Sequence, residues 1–221
     1  MSATVPGPSG FDLPEFMNWD ELAELPEEIA RDIELWDGRP VWMRRPAKSH
    51  QRFMVRVRNA MEASARVAMG AAGAPCAKHC WEVDVETNVF FTADQSSFLT
   101  PDFLICRCRP LDEYTRAEDV VLIGEVLSRS DTPSRRDWKM ERYARAGIPW
   151  YWEVELSPDK TAVAAVLAYG RVTRSMADPA ATVRPLRSVS YALVDIWRPA
   201  DGDIVFPHPF DIRIAWDDLA P

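Results

Sequence analysis

Residues 100–128 read TPDFLICRCRPLDEYTRAEDVVLIGEVLS, and this stretch decides the fold. It contains two short apolar runs, at 103–106 and 120–124, joined by a polar link. Two such runs predict an antiparallel β-hairpin. In such a hairpin the start of the first strand lies beside the end of the second. We therefore expect Asp102 and Glu125 to be neighbours, about 5 Å apart at Cβ if they are directly opposite.

Two carboxylates at the end of a buried hairpin repel each other and are costly to desolvate. A divalent cation between Asp102 and Glu125 removes this objection. Mg²⁺ and Mn²⁺ are the expected ions because both prefer oxygen ligands. The plainer alternative is that Asp102 is a turn residue after Pro101 and that Glu125 faces water at a strand end.

A helix is predicted directly after this hairpin. Thr132 is its expected N-cap, Pro133 its first residue, and Gly147 its end. Lys139 shares a face of this helix with Tyr143, four residues on. The four-carbon stem of Lys139 is long enough to carry its ammonium along the sheet to the carboxylates. An exposed helix lysine is the ordinary alternative.

The remaining elements follow from local signals. Asn18 and Glu21 have the spacing of a capping box, Asp37-Gly38 predicts a tight hairpin turn, and Ser49 is a predicted cap of a long amphipathic helix. Further strands are predicted at 33–36, 40–43, 81–86, 150–154, 161–169, 191–196 and 203–206, the last two as a late hairpin. Gly170 is expected to end the strand before it, 176–189 has no clear assignment, and 216–219 suggests a short final helix.

Composition indicates an ordinary globular protein. The chain has 221 residues, of which 47% are hydrophobic and 27% charged. We expect a disordered tail at 1–15 and a single domain at 16–221. No apolar run has the length of a membrane span, and the first residues lack the pattern of a secretory signal. The expectation is a cytoplasmic protein with no membrane contact.

The four cysteines are therefore expected to be reduced. A structural zinc is an alternative, with its ligands drawn from Cys76, His79, Cys80, Cys106 and Cys108. Neither half of this set has the usual spacing of two residues between cysteines. Within an apolar strand, Cys106 is more simply a small hydrophobic residue.

The formal net charge of −8 argues against bulk attraction to nucleic acid. Two local clusters of basic residues are exceptions to this net negative charge. Seven basic residues and no acid lie within 39–61, and a second basic cluster lies within 129–145. Candidate nucleic-acid contacts in and beside these clusters are His50, Arg52, Arg56, Arg135 and Arg136. A solvated helix face explains either cluster equally well, and His50 also fits a surface histidine.

The ordered set of motifs resembles the Uma2 family of restriction-endonuclease-like proteins, a branch of the PD-(D/E)XK nuclease superfamily. The resemblance is carried by Pro101-Asp102, Glu125-Val126-Leu127-Ser128, Lys139, Tyr143, Gly147 and Tyr151-Trp152, with Glu34-Leu35-Trp36-Asp37-Gly38 and His50 upstream. It covers roughly 18–219. One departure matters: Leu127 occupies the position of the superfamily's "ExK" lysine, so the resemblance transfers that role to Lys139.

The resemblance implies an α/β fold of the restriction-endonuclease-like type, with a mixed central β-sheet flanked by helices. One helix, starting near Ser49, would cover one face and the Lys139 helix the other. It also implies that the carbonyl of Val126 is a third metal ligand. Glu34 would be a further acid, although a hairpin residue before the Asp-Gly turn is equally good an interpretation.

The implied function is metal-dependent hydrolysis of phosphodiester bonds in nucleic acid, DNA in the first instance. The catalytic candidates are Asp102, Glu125, Lys139 and Glu34, with Mg²⁺ or Mn²⁺ as the cofactor. The alternative is a catalytically inactive member of the fold that binds nucleic acid or a protein partner. A homodimer is left open.

Overall fold

A computed structural model of the protein describes residues 4–6, 12–43, 46–71, 80–128, 132–173 and 188–220. The described helices are α1 (Trp19–Ala23), α2 (Glu27–Ala30), α3 (Lys48–Ala71) and α4 (Pro133–Arg145), with 3₁₀ turns at Pro199–Asp201 and Trp216–Leu219. The described strands are β1 (Thr4–Pro6), β2 (Asp12–Pro14), β3 (Ile33–Trp36), β4 (Arg39–Trp42), β5 (Trp81–Val85), β6 (Val89–Phe90), β7 (Phe98–Leu99), β8 (Phe103–Arg107), β9 (Val120–Val126), β10 (Trp150–Leu156), β11 (Val163–Thr173), β12 (Val189–Trp197), β13 (Ile204–Phe206) and β14 (Ile212–Ile214).

The central sheet has six strands in the order β12-β11-β10-β9-β8-β5. The predicted hairpin is present as β8 and β9, which pair antiparallel with Phe103 opposite Gly124. Strand β10 runs parallel to β9, and α4 provides the crossover that a parallel pair requires. The other neighbours are antiparallel, so the sheet is mixed, as predicted.

The two long helices cover opposite faces of this sheet, as predicted. Phe53, Val57 and Met61 of α3 belong to an apolar cluster with Leu122 and Trp152, whose side chains leave one face of β9 and β10. The other face holds a separate cluster that includes residues of β8 and β9 and Tyr143 of α4. Side chains alternate between faces along a strand, so neighbouring residues serve different helices.

A smaller sheet has the strand order β4-β3-β7-β6, and the chain passes from β7 directly into β8 of the central sheet. The predicted turn between β3 and β4 is confirmed, with φ of 52° at Asp37 and 81° at Gly38. Strand β7 joins β3 through the pairing of Leu35 with Phe98. Strands β6 and β7 escape prediction because each has only two residues, too few to show alternation.

Two short strands lie in the N-terminal region, for which composition predicts a disordered tail. Strands β1 and β2 pair antiparallel, from Thr4 opposite Pro14 to Pro6 opposite Asp12. Leu13 of β2 is completely buried and packs in an apolar cluster with Met17 and Leu22. One buried leucine among proline and glycine residues gives no periodic signal, yet it fixes this segment.

Three local predictions near strand and helix ends are wrong. Helix α3 begins at Lys48, so Ser49 lies inside it. Strand β11 continues through Gly170, where a Cβ would lie 2.9 Å from the Trp150 ring. The late hairpin does not form: β12 pairs with β11, whereas β13 pairs with β14. Most of the unassigned segment 176–189 lies outside the described residues.

The expectation of reduced cysteines is wrong for one pair. Cys80 and Cys108 form a disulfide, with their Cα atoms 5.4 Å apart. The cause is the strand register: Trp81 pairs with Arg107, so the residues just outside β5 and β8 meet at bridging distance. The zinc alternative loses these two thiols, and Cys76 and His79 lie outside the described residues.

Within the described part of the chain, no helix is long and apolar enough to cross a membrane.

Candidate active site

A cleft of about 850 Å³ opens where β8 begins and β9 ends, between the N-terminal part of α3, α4 and the small sheet. Its lining includes six of the residues predicted from sequence: Asp102, Glu125, Val126, Lys139, His50 and Arg135. The fold thus brings together residues that are up to 89 positions apart in the chain.

Asp102 and Glu125 become neighbours through the hairpin register, because Phe103 pairs with Gly124. Gly124 is required at this point: a Cβ on it would lie 2.0 Å from the Phe103 ring. Asp102 accepts a hydrogen bond of 2.6 Å on Oδ2 from the backbone N–H of Val126. Its Oδ1 lies 2.9 Å from Nε2 of His50. The backbone of Val126 is therefore in direct contact with the Asp102 carboxylate.

Glu125 is held from the opposite side by α4. The Lys139 ammonium donates to both carboxylate oxygens, at 2.8 and 2.9 Å, and the Tyr143 hydroxyl donates to Oε1 at 2.7 Å. Helical spacing places the lysine and the tyrosine on one face. The helix starts as predicted, with the Thr132 side chain capping the N–H of Arg135.

Burial and neighbouring charges shift the pKa values of both Glu125 and Lys139. Burial, and to a smaller extent the charge of Asp102, raises the pKa of Glu125 to about 7 against the lowering effect of the Lys139 charge. Burial alone would lower the pKa of Lys139, but the charges of Glu125, Glu34 and Asp102 hold it well above its usual value. Lys139 therefore remains an ammonium at neutral pH. It can donate hydrogen bonds and stabilise negative charge, but it cannot act as a base.

Glu34 lies behind the cleft rather than in its lining, and it is completely buried. Its Oε1 accepts the backbone N–H of Thr100 at 2.9 Å, and its Oε2 accepts the indole N–H of Trp36 at 3.0 Å. The carboxylate sits close enough to raise the pKa of Lys139. Glu34 of β3 thus holds the backbone of Thr100, two residues before Asp102.

Glu153 is a buried carboxylate that sequence reasoning missed. It has no exposed surface and lies opposite Glu125 in the parallel pairing of β9 with β10. Arg136, predicted as a nucleic-acid contact, instead donates to Glu153, with 3.0 Å between Nε and Oε1. The signal was present in the sequence, because one acid interrupts the apolar run 150–154.

The predicted basic clusters are partly neutralised within the fold. Ion pairs join Arg58 to Glu62, Arg142 to Asp37 and Arg145 to Glu141. Arg135 lines the cleft. Arg52 and Arg56 line a second groove of about 750 Å³ along α3, and Gln51 lines both.

The donors around the cleft suit a hard divalent cation. Asp102, Glu125 and Val126 all line the cleft, and their carboxylate and carbonyl oxygens are of the kind that Mg²⁺ and Mn²⁺ prefer as ligands. A different gathering of possible ligands, Glu82, Asp84 and Cys106, occurs on β5 and β8, with donor atoms within 4.8 Å of one another. It lies outside the lining of the cleft, and we assign no ion to it.

Comparison with known proteins agrees with this architecture. A crystal structure of a protein from Anabaena variabilis, described as a "putative nuclease belonging to DUF820", superposes with a TM-score of 0.54. The match covers 92% of this chain and 97% of that one at 16% sequence identity, and it shows the restriction-endonuclease-like fold. No curated protein matches the chain. The model of the Uma2 family, described as "Putative restriction endonuclease", matches residues 19–167, and the chain belongs to this family.

Proposed function

We propose that the protein hydrolyses phosphodiester bonds of DNA, with Mg²⁺ or Mn²⁺ as its cofactor. The observation that carries the proposal is the contact of the Lys139 ammonium with both oxygens of Glu125, beside Asp102 in an open cleft. Phosphoryl transfer needs carboxylates that can hold a metal ion and a cation that stabilises charge on the phosphate. The open cleft leaves space for the substrate beside them.

Asp102, Glu125 and the carbonyl of Val126 would hold the ion. When bound, the ion lowers the pKa of a coordinated water and stabilises charge on the phosphate. Lys139 would donate to the phosphate oxygens as their negative charge grows. His50, whose Nε2 lies 2.9 Å from Oδ1 of Asp102, would fix the orientation of that carboxylate. Glu34 would contribute negative charge behind the lysine and keep it protonated.

The nucleic acid would extend from the cleft onto α3. Arg135 in the cleft and Arg52 and Arg56 in the groove are the proposed phosphate contacts, and Gln51 connects the two surfaces. We do not propose Arg136, because its guanidinium is committed to Glu153. Phosphate contacts of this kind position a substrate without reading its sequence.

The test is cleavage of supercoiled, linear and single-stranded DNA with Mg²⁺, Mn²⁺ or a chelator. We expect cleavage with either metal, none with the chelator, and none by a folded Asp102→Asn variant. Absence of cleavage on every substrate by the parent protein would contradict the proposal. If the parent then still binds DNA, the alternative of an inactive nucleic-acid-binding member is supported.

A further inference from the structure

Glu153 has no part in the proposed reaction, yet it occupies a costly position. It is completely buried and lies directly opposite Glu125 on the neighbouring parallel strand. A carboxylate in the middle of a sheet is tolerated only when its charge is paired and its oxygens are hydrogen-bonded. An apolar residue would serve the packing of β10 at lower cost.

Four donor groups satisfy this carboxylate. Arg136 donates through Nε to Oε1 at 3.0 Å and through Nη2 to Oε2. The Tyr151 hydroxyl donates to Oε1 at 3.2 Å and the Tyr169 hydroxyl to Oε2 at 3.1 Å. A planar guanidinium bound to both oxygens fixes direction as well as distance. The arrangement therefore fixes the position of Arg136 relative to the sheet.

Arg136 lies one turn before Lys139 on α4, and Tyr143 lies one turn after it. The spacing of three and four residues puts these groups on one face of the helix. Arg136 binds Glu153 on β10, whereas Lys139 binds Glu125 on β9. Two ion pairs thus attach the helix to two adjacent strands. A slip of one residue would move the helix by about 1.5 Å and turn it by about 100°.

We propose that Glu153 and Arg136 are positioning residues, which hold α4 so that the Lys139 ammonium stays on Glu125. The inference rests on the proposed function for its effect on turnover, but the position of the ammonium is a property of the fold alone. Misplacement of a catalytic group by about 1 Å can lower a rate by about 10². Neither residue needs to touch the substrate.

The first test is Arg136→Lys, which keeps the positive charge but removes the bidentate contact with the Glu153 carboxylate. We expect kcat to fall by about 10- to 10²-fold with KM little changed, and the ¹⁵N signal of the Lys139 ammonium to shift or broaden. The matched control is Arg145→Lys on the same helix, where Arg145 is 68% exposed and pairs with Glu141. The control should change neither readout.

The second test separates positioning from stability. In the triple variant Glu153→Leu, Arg136→Met and Tyr151→Phe, apolar groups replace the ion pair and the buried hydroxyl that donates to it, and replacing a buried ion pair as a whole often leaves stability unchanged or improved. We expect the melting temperature to hold while the Lys139 signal changes as in Arg136→Lys. If this variant does not fold, Arg136→Lys decides alone.

A parent-like Lys139 signal and parent-like kcat in Arg136→Lys would overturn the inference, because the pair would then only stabilise the fold. If the parent cleaves no DNA, the proposed function fails instead. The ammonium signal still decides the positioning in that case, since it does not depend on catalysis.

Discussion

The two long helices of this protein both bury apolar side chains against the central sheet, but α4 adds two ion pairs to it. Helix α3 packs through Phe53, Val57 and Met61, all buried in an apolar cluster. Helix α4 presents Arg136 and Lys139 to its face of the sheet, and each binds a carboxylate there. Apolar burial is strong but has no direction, whereas charge-assisted hydrogen bonds fix geometry.

This difference separates stability from the placement of the reacting groups. The inner face of α3 supplies burial, so its truncation should reduce the free energy of unfolding. The inner face of α4 also supplies two ion pairs to buried carboxylates, and replacing such a pair as a whole by apolar groups often leaves stability unchanged. A change in these pairs should therefore disturb the cleft in addition to any effect on stability.

The largest expected effect lies on α3. Phe53→Ala removes a ring that is 1% exposed, and such a change costs about 3–5 kcal/mol of unfolding free energy. We expect the rate per folded molecule to remain near that of the parent. Denaturant unfolding combined with activity normalised to the folded fraction checks this. A rate that falls although the protein is fully folded would contradict the assignment of stability to α3 and of the placement of reacting groups to α4.

The next effect concerns the lysine of α4. Lys139→Ala should lower turnover by on the order of 10² or more, the loss seen when one preorganised donor is removed. Circular dichroism and Mn²⁺ titration should show a folded protein that still binds metal. Parent-like turnover on a substrate that the parent cleaves would rule out the role of Lys139.

The pH dependence of metal binding gives a smaller effect. Because burial raises the pKa of Glu125 to about 7, the carboxylate takes up a proton as pH falls below that value. Metal binds the deprotonated form, so Mn²⁺ affinity should weaken by up to about tenfold per pH unit below 7. Calorimetric titration between pH 5.5 and 8, chosen as about 1.5 units below and 1 above that pKa, measures it. Glu125→Gln cannot titrate there and should lose this dependence.

The smallest effect is on the groove along α3. Replacing Arg52 and Arg56 with Ala should weaken DNA binding across sequences and lower the salt slope by about 2, one for each phosphate contact. Arg66→Ala is the control, because Arg66 lies on the same helix, is 72% exposed and pairs with Glu62. An unchanged slope in the double variant would mean that the groove is only a solvated face of α3.

Much of the site follows from the sequence because its parts are local. The hairpin register sets Asp102 beside Glu125, and the cap at Thr132 sets the phase of the helix that carries Lys139. Each depends on a few adjacent residues whose preferences agree. The fold class follows from the family resemblance that these motifs carry, and the hairpin and the helix after it agree with that resemblance.

What the sequence did not reveal depends on which strands meet. The disulfide of Cys80 with Cys108 follows from the register of β5 against β8, and the failed late hairpin from the pairing of β12 with β11. Arg136 looked like a surface cation because its partner, Glu153, lies on a strand 17 residues away. Pairings between distant segments leave no periodic signal in a single sequence.

We propose Asp102 and Glu125 as the metal site, and anomalous diffraction from a crystal soaked in Mn²⁺ would show the ion itself. We predict a peak between the two carboxylates, within ligand distance of the Val126 carbonyl. A peak only at Glu82, Asp84 and Cys106, or carboxylates of Asp102 and Glu125 that point apart with no peak between them, would contradict the claim.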